Sequence, residues 1–400
     1  MTGARVRRFA IAPRRAHPLL LLVLLVVPVI LVATRGGSVA LAAGPTSIPG
    51  GTITGDVTWT PAGSPYIVQG SLDVASGASL TIQPGVEVRL HDGVFLQVYG
   101  RLYAVGTATA PITFTTAATT TVTPGRWSFI AFRGGASGRL ERCVVNSAGR
   151  GGNAALVIES SDVVVQDCRI HHNASNGVYL GGVGLAPTLR RVEIDHNGEA
   201  SGAAAIVQTT LSMNPGYEAL SIHDNGADVV YIGGSAGTDR DVTLSSPAVG
   251  GVPYVLAGSW DVSSGKALTV TAGTVVRLHD GVFLQVYGRL YAVGTATAPI
   301  TFTTAATTTV TPGRWSFIAF RGGASGRLSG AWSTRRGGVG MLPWSSKARM
   351  WWCRTAGSTT TRATGCIWGV WGWLPPCGGW RSTTTGRPPG RRPSSRPPSP

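Results

Sequence analysis

From Leu80 onward apolar and polar positions alternate in short runs: LTIQP, VEVRL, FLQVYG, RLYAVG, ITFTTA, WSFIAF, LVIESS, VVVQDCRI, GVYLGG, LRRVEI and AIVQTT. Gly, Pro, Asn and Ser separate them. A period of two marks a strand with one buried face, and no 3.6-residue period intervenes to supply crossover helices. The pattern therefore predicts an all-β chain. Aligning Arg142–Asn146 (RCVVN), Asp167–His171 (DCRIH) and Arg191–Asp195 (RVEID) gives steps of 25 and 24 residues. A recurring step of that size suits one turn of a parallel β-solenoid.

The same alternation assigns side chains to faces. Cys143, Cys168 and Val192 form one inward column, and Val145, Ile170 and Ile194 the next. Rungs about 4.8 Å apart would bury both columns continuously, each aliphatic side chain contributing about 1.5–3 kcal/mol. Arg142, Asp167 and Arg191 fall outward, as do Val144, Arg169 and Glu193, and beside them Asn146, His171 and Asp195. Charges alternate in sign from rung to rung, which favours neighbouring side chains.

Repetition organises the chain. Val88–Leu140 recurs without a change as Val276–Leu328, an offset of 188, with looser likeness before it. One unit is expected over 44–231 and the first half of a second over 232–328. After Leu140 the chain reads ERCVVNS; after Leu328 it reads SGAWSTR. Coding Glu141–Ser147 as GAG CGG TGC GTG GTC AAC TCG and reading one nucleotide later yields Ser-Gly-Ala-Trp-Ser-Thr-Arg. His171-His172-Asn173 likewise shifts to Thr359-Thr360-Thr361, and Asp195-His196-Asn197 to Thr383-Thr384-Thr385. Residues 329–400 thus read as a frame-shifted copy of 141–212, expected to be disordered because GRPPGRRPSSRPPSP cannot support a packed core.

CRIHHNASNGVYL, VEIDHNGEASGAAAIV and GASLTIQPGVEVRLHDGVFLQVYGRLYAVGTATAPITF resemble the right-handed parallel β-helix repeat proteins of secreted and surface-exposed bacterial origin. The likeness covers about 44–328. It implies a right-handed parallel β-helix, one near-complete unit plus a truncated second. Members that act on polysaccharides carry acids, bases or calcium ligands on an outer sheet face. The Asn-Thr-Asp, Asp-Asp and Gly-His-Gly motifs of pectinase-like hydrolases are absent from this sequence.

Charge changes the picture only once it is placed. The formal net charge is +16, but residues 1–43 hold six Arg and residues 329–400 ten Arg and one Lys, neither with an acid. The body between has 17 bases against 18 acids. A near-neutral body does not track phosphate, so nucleic acid is not an expected partner. The Arg-rich start, the apolar run Pro18–Ala33 and Ala40-Leu41-Ala42 read as a signal peptide over 1–42, with an uncleaved anchor as the alternative. A secreted or cell-surface location follows, with a membrane met only through that segment.

Two function classes stay open. One is a binding or structural module contacting polysaccharide or cell-surface components through Asn146, Arg169, His171, Glu193 and Asp195. The other is a polysaccharide lyase or glycoside hydrolase, in which Arg169, His171, Glu193 and Asp195 would supply proton transfer. A surface ion-pair ladder accounts for the same signs without a substrate. Cys143 and Cys168 are either a disulfide formed after export or stacked free thiols. His172-Asn173 and His196-Asn197 recur at one turn, where Asn suits left-handed backbone and can stack as an amide ladder. Asp224 and Asp228 lack calcium-loop spacing, and no metal or cofactor is expected.

Overall fold

The computed structural model describes residues 44–119, 123–306, 313–335 and 338–341. The expected export segment and the chain beyond Met341 lie outside them. In the first copy each coil gives one strand to each of three parallel sheets. Glu87–Leu90, Ile112–Thr116, Cys143–Asn146, Arg169–His171, Glu193–Asp195 and Ser221–His223 follow one another in sheet I. Leu96–Val98, Ile130–Phe132, Leu156–Ile158, Val178–Leu180 and Ala204–Gln208 do so in sheet II. Arg101–Val105, Ser137–Glu141, Val163–Gln166, Thr188–Arg190 and Gly216–Glu218 form most of sheet III.

Alternation places the core as expected. Phe114, Val145, Ile170, Ile194 and Ile222 are in direct register, one above another, and all are buried. Each rung thereby covers the apolar surface of the one before it, which is how a solenoid accumulates stability.

Two runs that read as single strands are broken. VVVQDCRI splits into Val163–Gln166 in sheet III and Arg169–His171 in sheet I, and LRRVEI into Thr188–Arg190 and Glu193–Asp195. The break is one residue in left-handed conformation: Asp167 at φ 52° and Arg191 at φ 48°, with Arg142 at φ 49° doing the same one coil earlier. Such a corner consumes so little chain that the apolar alternation resumes at the next residue and hides the bend. After Arg101–Val105 the corner is longer. Residues 106–111 loop out before Ile112, anchored by Gly106 N donating to the Glu141 carbonyl at 2.8 Å and Ile112 N to the Arg142 carbonyl at 3.2 Å.

The second copy keeps its strands but changes their neighbours. Tyr66–Val68, Glu87–Leu90 and Ile112–Thr116 stack in sheet I, whereas their counterparts Tyr254–Leu256, Val275–Leu278 and Ile300–Thr304 extend sheet II, joining through Ala227–Ile232. The duplicate is rotated by one face about the solenoid axis. Its other strands form two separate four-stranded parallel sheets.

Strands also continue past Leu328. Gly330, at φ 56°, takes the corner that Arg142 holds in the first copy, and Ala331 is fully buried in the place of Cys143. Ala331–Arg335 pairs in parallel with Ile300–Thr304, and Gly338–Met341 then pairs with it antiparallel, covering the edge of sheet II. The remainder of the expected disordered tail lies outside the described residues.

Candidate functional site

Sheet I brings the sequence-predicted residues together. Register pairs Asn146 with His171 and His171 with Asp195, and pairs Val144 with Arg169 and Arg169 with Glu193. Arg169 clamps Asp195 with two hydrogen bonds, Nε to Oδ1 at 3.0 Å and Nη2 to Oδ2 at 2.7 Å, and lies 3.5 Å from Glu193 Oε2. His196 Nδ1 adds a third contact to Asp195 Oδ2 at 2.8 Å. The alternation expected of this column is therefore realised as a chain of ion pairs.

Asp195 itself departs from expectation. Its position is outward, yet its side chain is 0% exposed. Arg169 and His196 lie over the carboxylate and satisfy it, which is what a buried charge requires. Burial raises the Asp195 carboxyl, but hydrogen bonds from Arg169 and His196 outweigh it and hold the group below its ordinary range. The bond to Asp195 in turn raises Arg169 above its usual value. Burial, then the Arg169 charge, push His171 down, so its imidazole stays neutral near pH 7.

Asn146 sits at the edge of this constellation. Its Oδ1 accepts from Thr115 Oγ1 at 2.6 Å and from Ser147 Oγ at 3.0 Å, so it braces the preceding rung. His223 is one rung beyond Asp195, with Nε2 3.3 Å from Glu193 Oε1 and Nδ1 2.9 Å from Asp224 Oδ2. Its bond to Asp224, then Glu193, raises its pKa. Sequence reading passed over His223, although SIHDN at 221–225 repeats RIHHN and EIDHN; its step of 28 residues broke the 24 to 25 rhythm.

A cleft of about 460 Å³ opens beside the column. The 106–111 loop forms one wall through Thr107, Ala108 and Pro111; the corner residues Arg142, Asp167 and Arg191 form the other; Val144, Arg169 and Glu193 reach it from sheet I. Arg191 chelates Asp167, Nε to Oδ1 at 2.6 Å and Nη2 to Oδ2 at 3.0 Å, and Arg142 Nη2 is 3.7 Å from Asp167 Oδ2. The Arg191 hydrogen bond is the main reason Asp167 is lowered to about 2. The loop wall was not legible from sequence, since only the short corners elsewhere show that 106–111 is an insertion.

The recurrent Asn residues build an amide ladder. Asn173 Nδ2 donates to Asn197 Oδ1 at 2.7 Å, Asn197 Nδ2 to Asn225 Oδ1 at 2.9 Å, and Asn173 Oδ1 accepts from Ala148 N at 2.8 Å. Asn225 is a rung the sequence reading missed. Asn173 is buried, so its amide serves the ladder and does not face solvent. Asp224 and Asp228 serve the same turn: Asp228 accepts from the backbone of Asp224 at 3.1 Å and of Asn225 at 3.0 Å.

Cys143 and Cys168 are buried free thiols in adjoining rungs. Cys143 Sγ donates to the Ala104 carbonyl at 3.3 Å and Cys168 Sγ to that of Gln166 at 3.2 Å, while Cys168 Sγ also accepts from the Cys143 backbone N at 3.4 Å. The disulfide alternative is not the arrangement present. Burial raises the Cys143 thiol well above its ordinary value, which keeps it unreactive.

Comparison with known proteins agrees with this architecture. Residues 51–154 match the family model of a pectate-lyase like beta helix domain, and residues 113–269 match that of a right handed beta helix region. No curated protein and no solved structure matches the chain. The stacked parallel sheets and these two overlapping matches together make residues 51–269 a right-handed parallel β-helix region.

Proposed function

We propose that this β-helix is an extracellular module that binds polysaccharide in the cleft between the 106–111 loop and the outer face of sheet I. The observation that carries the reading is the lining: three guanidiniums, two carboxylates and the apolar Val144 converge on one open cleft. Guanidiniums donate and carboxylates accept, so together they suit vicinal hydroxyls, while Val144 offers an apolar floor to a sugar ring's C–H face. The matched pectate-lyase like domain supports carbohydrate as the ligand class.

The same match favours a second reading, turnover by a lyase or hydrolase. Its proton-transfer groups are poorly disposed for the task. A hydrolase needs one carboxyl held protonated beside one ionised, and Asp195 is held ionised by Arg169 and His196. Arg169, clamped as a cation by that carboxylate and raised above its usual value, gives up its proton less readily than a free guanidinium and so is less available as a base.

A glycan array run beside reducing-sugar and unsaturated-product assays separates the readings. Binding without product, weakened about tenfold or more by Arg142→Ala or Glu193→Gln, is the expected result, since a hydrogen bond to a charged group contributes about 1.5–3 kcal/mol. Product formation that disappears in Asp195→Ala would establish the enzyme instead.

A further inference from the structure

Four of the seven histidines, His171, His172, His196 and His223, gather on adjacent rungs of one corner of the helix. His172 and His196 occupy equivalent left-handed positions, φ 51° and 53°, 24 residues apart. Their rings are parallel within 2°, with centroids 4.7 Å apart. The backbone does not demand imidazole there: the flanking positions of the same corner, Ser147 at φ 61° and Asp224 at φ 56°, carry other side chains. A pair of stacked imidazoles between a hydroxyl and a carboxylate needs a reason beyond turn geometry.

The ring nitrogens supply one. His196 Nδ1 is engaged by the buried Asp195 carboxylate at 2.8 Å, and His172 Nδ1 lies 2.8 Å from His171 Nδ1. Both Nδ1 atoms are thus occupied, which leaves Nε2 as the remaining ligand atom of each ring. His196 Nε2 faces Glu199 Oε1 at 3.9 Å. A carboxylate on Nδ1 that fixes a histidine's ring and tautomer is the usual outer support of a metal-bound imidazole. Ligand atoms of His172, Asp195 and His196 lie within 4.8 Å of one another. A zinc-sized ion sits about 2.0–2.1 Å from each nitrogen, so the exposed His172 ring and the half-buried His196 ring turn out of their parallel stack to share one.

The local charge agrees. Glu193, Asp195, Glu199 and Asp224 bring four carboxylates to this corner, and Arg169 pairs with the first two of them. We propose that His172 and His196, with Glu199 beside them and Asp195 orienting His196, bind one divalent transition-metal ion of the zinc or copper class and thereby staple two neighbouring coils. Imidazole and carboxylate donors suit these ions, with copper(II) held more tightly than zinc. The site meets the sugar-binding cleft only through Asp195, which clamps the lining residue Arg169, and does not depend on that reading, because its ligands are not among the residues that line the cleft.

The test is calorimetric titration of the full chain, stripped with chelator, first with Zn²⁺ and then with Cu²⁺. One ion per chain is expected, together with a higher melting temperature in its presence. His172→Asn and His196→Asn should each weaken Zn²⁺ binding at least tenfold, and Glu199→Gln less. Asn tolerates left-handed backbone, so melting of stripped His172→Asn should match the stripped parent, and stripped His196→Asn should melt cooperatively, lower only by the lost contact to Asp195, which shows that the fold persists. His279→Asn, remote in the second copy, should bind as the parent does. Absence of binding, or undiminished binding in the His172→Asn, His196→Asn double variant, would overturn the site.

Discussion

Val88–Leu140 and Val276–Leu328 are the same 53 letters in two settings. Within each copy the contacts repeat closely. Phe95 stacks on Phe129 at 5.2 Å and Phe283 on Phe317 at 5.1 Å; Arg133 Nε donates to Gln97 at 2.8 Å and Arg321 Nε to Gln285 at 2.8 Å. Burial differs where the next coil matters. Ile130, Ala131 and Leu140 are buried, whereas Ile318, Ala319 and Leu328 are only half-buried. In the first copy Leu156–Ile158 and Val163–Gln166 stack on these strands; in the second, among the described residues, no strand follows Ile318–Phe320 or Ser325–Ser329 in its sheet. The comparison teaches that a coil's shape is encoded locally, while its protection comes from the coil that follows.

Supplying the missing coils gives the largest expected effect. A chain in which residues 141–212 replace 329–400 after Leu328 should bury Leu328 as deeply as Leu140. Amide hydrogen exchange over 276–328 should then slow toward the rate of 88–140; unchanged exchange would break the comparison. Next in size is a matched pair of core truncations. Phe114 lies between Val88 and Val145, and Phe302 between Val276 and Ser333. Phe114→Ala should cost about 3–5 kcal/mol in urea unfolding, and Phe302→Ala less, because among the described residues fewer coils follow it.

The amide ladder has no described counterpart in the second copy. Asn197→Ala removes one of the two acceptors of the Asn173 amide and the side-chain donor to the Ile170 carbonyl, at about 1–3 kcal/mol for each group, and should loosen 170–225 while leaving 254–304 unaffected in hydrogen exchange. Smallest is the acid response. Asp167, lowered to about 2 by its hydrogen bond from Arg191, lies below the ordinary Asp value of about 3.9. Its contribution is complete above about pH 5 and is lost as pH falls through 4 toward 2. Exchange at Cys168 and Val192, beside that pair, should rise over this interval, and Asp167→Asn should remove the pH dependence.

Much of this was legible in the sequence, for a physical reason. Inward columns such as Val145, Ile170 and Ile194 follow from period-two alternation alone, because every rung must bury the same face. The corners at Asp167 and Arg191 were not legible, since one left-handed residue barely disturbs that period. Neither was the burial of Asp195: its phase puts it outside, and only the folded positions of Arg169 and His196 close over it. The rotation of the second copy was invisible for a related reason. All three faces carry the same alternation, so nothing in a strand's letters says which sheet it will extend.

That rotation bears on how such a chain grows. Because the strand after Ala227–Ile232 is accepted by a sheet its counterpart never joins, an added segment has no need to arrive in phase with the three-sided coil. Unequal crossing-over at almost any junction can then lengthen the gene and still yield a continuous hydrophobic column, with selection acting afterwards on the side chains that each new face turns to solvent.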